Sequence, residues 1–367
     1  MRNWSRGWRR CAPNTAALSQ PRPRPARFSA CMRPERPAHR CRRGTGGPQV
    51  PRISPSPAEP IMKINGATRV FYCIADPIEQ VRAPELFNHL FDAYDVDAVM
   101  VPLRVTPDQL APTLHALLAS PTVGGISLSI PHKTMAVGLV SQCTHQARIA
   151  HAINAIRRGP AGIEGELFDG LGFVRSLRRL AFDVAGRSVL LIGAGGAASA
   201  LASALAEQRA ARIGLFDPDT SKAVQLAETI AQSFPDCRVD SVPSNDPAGY
   251  DLVVNASPLG LRAGDPLPVP VERLGAQAFV YDILMKGQPT PLVTAARARG
   301  LRASPGFDML VQQASLYLEF FGFPTLAAAA ERHTADLRAL LETPAPVRPA
   351  TLAIPSTCSV RGAHRPK

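Results

Sequence analysis

Residues 189–206, V-L-L-I-G-A-G-G-A-A-S-A-L-A-S-A-L-A, constrain the fold of this chain more than any other stretch. Four apolar residues run into a glycine-rich turn, and a run of small residues follows. That order specifies a buried strand, a tight turn and a helix packed closely on the strand. Gly193, Gly195 and Gly196 leave the backbone bare at the turn, and Ala198 stands where a third small residue is needed. The unpartnered amides at the start of such a helix favour an anion, and a pyrophosphate fits there. Gly193, Ala194, Gly195, Gly196 and Ala197 are therefore candidate contacts for a dinucleotide. A plain glycine-rich turn is the other reading of the same residues.

The next apolar run, R-I-G-L-F-D, ends at Asp217, 24 positions after Gly193. An acid at that strand end accepts hydrogen bonds from ribose hydroxyls and repels a 2′-phosphate. This favours NAD over NADP, although Lys222 lies near enough to offer a phosphate a charge, and Asp217 also reads as a turn residue before Pro218.

Elsewhere in the body, short apolar runs alternate with amphipathic segments. Residues 70–75, 97–103 and 124–131 read as strands, with helices over 84–94 and from Thr106 as N-cap with Pro107 in the first turn. Further strands are predicted over 188–192, 212–217, 250–255 and 278–284, and the chain turns helical after Gly306. Strands alternating with helices predict parallel βαβ units and an α/β fold.

A formal charge of +12 would normally suggest nucleic acid. Its distribution argues otherwise. Residues 1–60 hold thirteen arginines against two glutamates, and the stretch after Thr343 holds four basic residues and no acid, leaving −3 for the body between. A nucleic-acid groove is not expected, and no apolar run is long enough to span a bilayer. The Arg- and Pro-rich residues 1–61 predict a disordered extension, with Met62 as an alternative start, and residues 343–367 predict a disordered tail. The seven cysteines show no C-x-x-C spacing, so neither a zinc site nor a disulfide framework is expected. A reducing, cytoplasmic setting follows.

Two ionisable residues suit a dinucleotide site. Hydride chemistry at a carbonyl or alcohol needs a proton relay, and a lysine oriented by a carboxylate can provide one. Lys133 ends S-L-S-I-P-H-K, and Asp169 lies in G-E-L-F-D-G-L-G. Singly, Lys133 also reads as a solvated lysine and Asp169 as a turn residue before Gly170.

Together these segments resemble the shikimate dehydrogenase family, including its quinate/shikimate branch, over roughly residues 70–341. S-L-S-I-P-H-K is similar to that family's N-V-T-x-P-x-K, and G-E-L-F-D-G-L-G to G-x-N-T-D-x-x-G. The resemblance implies Lys133 and Asp169 as catalytic residues. A-I-N-A resembles A-V-N-T and implies Asn154 as a substrate contact. G-F-D-M-L-V-Q-Q-A implies Gln313 in the same role and Gly306 on the cofactor side. N-A-S-P-L-G-L places Asn255 and Ser257 beside the nicotinamide. F-D-P-D-T-S-K-A, with Asp217 and Lys222, resembles the NAD-preferring branch. The implied architecture is a substrate domain (62–168 with 306–342, the C-terminal helices returning to it) and a Rossmann domain (169–305). The implied reaction is reversible oxidation of a ring hydroxyl of a cyclic polyol carboxylate by NAD or NADP, in a monomer or homodimer.

The substrate signature departs from the family's. Its two carboxylate-holding serines are Val81 and Ala83 here, Asn and Thr are Ser127 and Ser129, N-T is Leu167-Phe168, and an expected tyrosine is Met285. Arg82, between the lost serines, is a candidate carboxylate anchor beside Ser129. The alternatives are a dehydrogenase of the same architecture for another hydroxy acid or an aminated analogue, and a non-catalytic dinucleotide-binding regulator. The presence of both Lys133 and Asp169 argues against the last.

Overall fold

The computed structural model describes residues 64–285 and 289–342. The extension 1–61, the start at Met62 and the tail 343–367 lie outside the described residues. The chain begins with β1 (Arg69–Ala75), α1 (Ala83–Ala93), β2 (Ala98–Arg104), α2 (Leu110–Ala119) and β3 (Val123–Leu128). The short α3 (His132–Met135), β4 (Gln142–Cys143), α4 (His145–Ala150), β5 (Ala155–Gly159) and β6 (Gly162–Glu166) complete a first sheet of order β2-β1-β3-β5-β6-β4. β1 lies at its parallel centre, paired with β2 and β3, which is why V-F-Y-C-I-A is apolar on both faces.

The parallel units expected of the first three strands are present, and the sheet extends beyond them with an antiparallel hairpin. β5 pairs antiparallel with β3 and with β6. The turn between β5 and β6 holds only Pro160 and Ala161, with Gly162 at φ +125°, and so short a connection can only return a strand antiparallel. Two boundaries also differ. β3 stops at Leu128, so Pro131 and Lys133 follow the strand, and Lys133 sits on a helical turn. Thr106 makes no side-chain cap; it precedes a 3₁₀ turn, and α2 begins at Leu110.

The second sheet is wholly parallel. α5 (Asp169–Arg179) leads into β7 (Ser188–Ile192), α6 (Gly196–Glu207), β8 (Arg212–Phe216), α7 (Thr220–Ser233) and β9 (Arg238–Ser241). β10 (Leu252–Asn255), β11 (Phe279–Asp282), α8 (Pro291–Ala298) and β12 (Arg302–Pro305) follow, giving the order β12-β11-β10-β7-β8-β9. The winding direction reverses between β7 and β10, and such a switch point opens a crevice beyond the strand ends.

The helices α9 (Phe307–Phe320), α10 (Pro324–Arg332) and α11 (Thr334–Glu342) return to the first sheet. Phe307, Leu318, Phe321, Leu326 and Leu337 share one core with Phe71, Phe87 and Phe91. Each such side chain, fully buried, contributes roughly 1.5–3 kcal/mol. Among the described residues no helix is long and apolar enough to cross a membrane.

Candidate active site

The glycine turn lies at the switch point. Gly193 has φ +109°, and a Cβ there would stand 2.8 Å from the Ala256 carbonyl oxygen, so the position admits little but glycine. Gly195 precedes α6, and a Cβ added to it would meet nothing within 4 Å, leaving open space at the amide end of that helix. This bare helix end is the part of the site that fits a pyrophosphate. The Asp217 carboxylate accepts from the Ala194 and Asp219 amides, both at 2.9 Å, which locks the acid beside the turn. Lys222 is exposed and pairs with Asp219 at 3.4 Å rather than reaching the turn.

Lys133 comes to this turn from the other sheet. A Cβ on Gly196 would lie 3.2 Å from Lys133 Cβ, so the lysine packs directly against the start of α6. Its neighbour His132 is fully buried, with Nε2 2.8 Å from the Val105 carbonyl, and anchors the turn that carries Lys133. Burial pushes the His132 imidazole below its ordinary pKa, the Val105 contact opposing this.

Lys133 Nζ donates to Asp169 Oδ2 at 2.5 Å, and the side chains are only 14% and 5% exposed. Asp169 opens α5, where the helix dipole favours a carboxylate. Sequence places these two residues 36 positions apart; the fold makes them a pair.

Asn154 and Gln313 are both buried and meet at 3.4 Å, Nδ2 to Oε1. Asn154 Oδ1 accepts from the Phe168 amide, so one carboxamide face is fixed while the other looks into the cleft. Gln313 approaches because Gly172 faces it: a Cβ there would fall 2.4 Å from Gln313 Cγ. Ser129, Arg82, Val81 and Ala83 line the same cleft. Arg82 is mostly buried, bonded to Glu85 by Nε at 2.8 Å and Nη2 at 2.6 Å, and lies over the Phe307 ring.

Three of the residues named from sequence sit differently from the rest. Asn255 is fully buried, its side chain spent on Leu259, Ser257 and Asp282, while Ala256 and Ser257 face the cleft. Gly306 lies behind the wall, where a Cβ would be 2.4 Å from the Ile283 oxygen. Lys222 is the third, turned to Asp219.

Sequence reasoning missed Tyr317 and Asp282. Tyr317 lines the cleft, donates to the Asn154 carbonyl at 3.0 Å and meets Ser127 Oγ at 3.4 Å. Burial, then the Asp169 charge, hold its hydroxyl well above the ordinary tyrosine pKa, so it stays protonated. Its position four residues after Gln313 was the available signal, since i and i+4 share a helix face. Cys73, in the cleft floor, has its thiol pushed up to about 12 by burial and supplies no thiolate.

Comparison with known proteins adds independent findings. A family model described as the shikimate dehydrogenase substrate binding domain matches residues 73–156. The chain is 33% identical over 259 residues to a shikimate dehydrogenase (NADP(+)) of Geobacter metallireducens, covering 69% of this chain and 90% of that relative. Among solved structures, ligand-free 5-ketofructose reductase of Gluconobacter sp. strain CHM43 matches with TM-score 0.65 and 25% identity over 75% of this chain and 98% of that one. Quinate dehydrogenase from Corynebacterium glutamicum in complex with NAD matches with TM-score 0.65 and 25% identity, covering 75% and 99%.

Proposed function

This chain belongs to the shikimate dehydrogenase family, oxidoreductases acting on CH–OH groups with a nicotinamide dinucleotide, and we propose that it reversibly oxidises a ring hydroxyl of a cyclic polyol carboxylate of the shikimate or quinate type. The observation that carries this reading is the Lys133–Asp169 pair, 2.5 Å apart and packed against the start of α6. When bound, the dinucleotide supplies the hydride acceptor or donor. The remaining work falls to the chain. In the reducing direction Lys133 Nζ gives a proton to the carbonyl oxygen; in the oxidising direction the same nitrogen takes the hydroxyl proton. Asp169 holds Nζ in place for both. Asn154 and Gln313 orient the ring through the donors they keep on the cleft side. The division into a substrate domain (62–168 with 306–342) and a Rossmann domain (169–305) belongs to this proposal.

The choice of dinucleotide rests on Asp217. A carboxylate fixed at the end of β8 disfavours a 2′-phosphate, and NAD is our reading. The Geobacter relative, named for NADP(+), pulls the other way, so the ratio of NAD+ to NADP+ efficiency is the quantity to measure.

Arg82 is our candidate for the carboxylate anchor, because the hydroxyls are gone from positions 81 and 83. A second reading has a specific observation behind it. Among the described residues lining the cleft, the two cations are paired, Lys133 with Asp169 and Arg82 with Glu85, and most of the lining is apolar. An uncharged polyhydroxy ketone needs no further cation, and the 5-ketofructose reductase match is in keeping with that.

A spectrophotometric screen of NAD+ and NADP+ reduction tests both readings, with shikimate, quinate and neutral cyclic polyols as substrates. Turnover of an acid, with KM raised tenfold or more by Arg82→Ala, supports the first; an unchanged KM removes Arg82 from the site. Turnover of a neutral polyol alone supports the second. A protein that binds dinucleotide but turns over no member of the set contradicts both.

A further inference from the structure

Two loops that follow neighbouring strands of the second sheet line part of the cleft. One follows β10 and contributes Ala256, Ser257 and Leu261; the other follows β11 and contributes Ile283, Leu284 and Met285. β10 and β11 end side by side at Asn255 and Asp282. We propose that Asp282 is the positioning residue of this wall, its buried carboxylate tying both loops and the start of α8 together and so setting how tightly the dinucleotide is held. The inference rests on the dinucleotide reading of the cleft.

The bonds run outward from one side chain. Asp282 is 1% exposed; its Oδ2 accepts from Thr290 Oγ1 at 2.7 Å, and its Oδ1 from Asn255 Nδ2 at 3.1 Å and the Leu284 amide at 3.2 Å. Asn255 carries the connection onward, donating to the Leu259 carbonyl and accepting from Ser257 Oγ at 2.6 Å. Thr290 Oγ1 accepts in turn from the Val293 amide and caps α8. Among the described residues, the groups facing Asp282 are thus a carboxamide on β10, an amide in its own loop and the hydroxyl that caps α8, and no charged side chain acts on it. A buried carboxylate that no cation of the described residues pairs with is a costly choice for packing alone. It is a suitable choice for holding three donors at once, because each bond is charge-assisted. Burial pushes this carboxyl up to about 6, so a modest fall in pH protonates it and weakens those bonds.

The test is titration of the full chain with NADH, which has no 2′-phosphate to titrate, followed by nucleotide fluorescence from about pH 5 to 8. For the wild type the Kd is expected to rise several-fold as pH falls through about 6. Asp282→Asn is expected to bind at every pH as the wild type does at low pH, with no break. Thr290→Val removes one donor from the carboxylate and is expected to move the break to higher pH. Thermal melting confirms that each variant is folded, and the two variants stand independently. Wild-type affinity with an unchanged break in Asp282→Asn, or an unmoved break in Thr290→Val, overturns the inference alone. A wild type that binds neither NADH nor NADPH at any pH overturns the cofactor reading and this inference with it.

Discussion

Asp282 shows how a single side chain can serve the site at the expense of the fold. Burial pushes its carboxyl up to about 6 from the ordinary 3.8, so the native state holds the proton more tightly than the unfolded chain does. The resulting stabilisation is fully present below about pH 4 and is lost as pH rises through about 6. At neutral pH the ionised group leaves the fold less stable by on the order of 3 kcal/mol. Asp282→Asn is therefore expected to raise Tm at neutral pH and to leave it nearly unchanged near pH 4, as measured by calorimetry. An equal change at both pH values would contradict the account. A variant that is more stable and binds dinucleotide less tightly is the trade expected where a site keeps a costly group. The Lys133–Asp169 pair differs in kind, because each charge has its partner. Removing one member leaves the other buried and alone, which typically costs about 3–5 kcal/mol, so a neutral replacement at either position is best judged with a melting curve beside the kinetics.

Among the elements, α5 joins the two chemistries: its first residue is Asp169, and its second, Gly170, lets the helix sit on α6. A Cβ at Gly170 would fall 2.4 Å from the Ala200 carbonyl oxygen, which is backbone and yields little. Gly170→Ala is expected to destabilise the protein by about 1–3 kcal/mol and to lower kcat by shifting Asp169; urea melts with steady-state kinetics check both, and unchanged values in both would contradict the account. The glycine turn and the strands beside it were legible in the sequence because their signal is local. An apolar run, a turn that only glycine tolerates and a small-residue helix lie within eighteen consecutive residues. The hairpin of β5 and β6 was not legible. I-R-R-G and G-I-E-G-E are short, charged and half exposed, with little apolar alternation to read. β9 and β12, each of four residues, were lost for the same reason. α3 has a single turn, too short for any periodic pattern, so Lys133 read as a strand-end residue.

At the scale of the whole molecule, the site exists only where the two sheets meet. The first brings Lys133 and Asn154, the second brings the glycine turn and the wall tied by Asp282, and α9 brings Gln313 and Tyr317 back from the C-terminal side. Ser199 on α6, bonded to the Ala150 carbonyl at 2.6 Å, fastens one half to the other close to the chemistry. Motif order in the sequence pointed to the partners of this assembly but not to their contacts. Nothing local in S-L-S-I-P-H-K says that Lys133 lies against Gly196, and nothing in N-A-S-P says that Asn255 faces inward to Asp282. The central claim is that the Lys133 ammonium, held by Asp169, moves the proton while the glycine turn holds the dinucleotide. It is tested most directly by Lys133→Ala, assayed with the best substrate from the screen and titrated with the preferred dinucleotide. In this variant kcat is expected to fall by about 10²- to 10⁴-fold with dinucleotide affinity nearly unchanged. Turnover close to that of the wild type would contradict it.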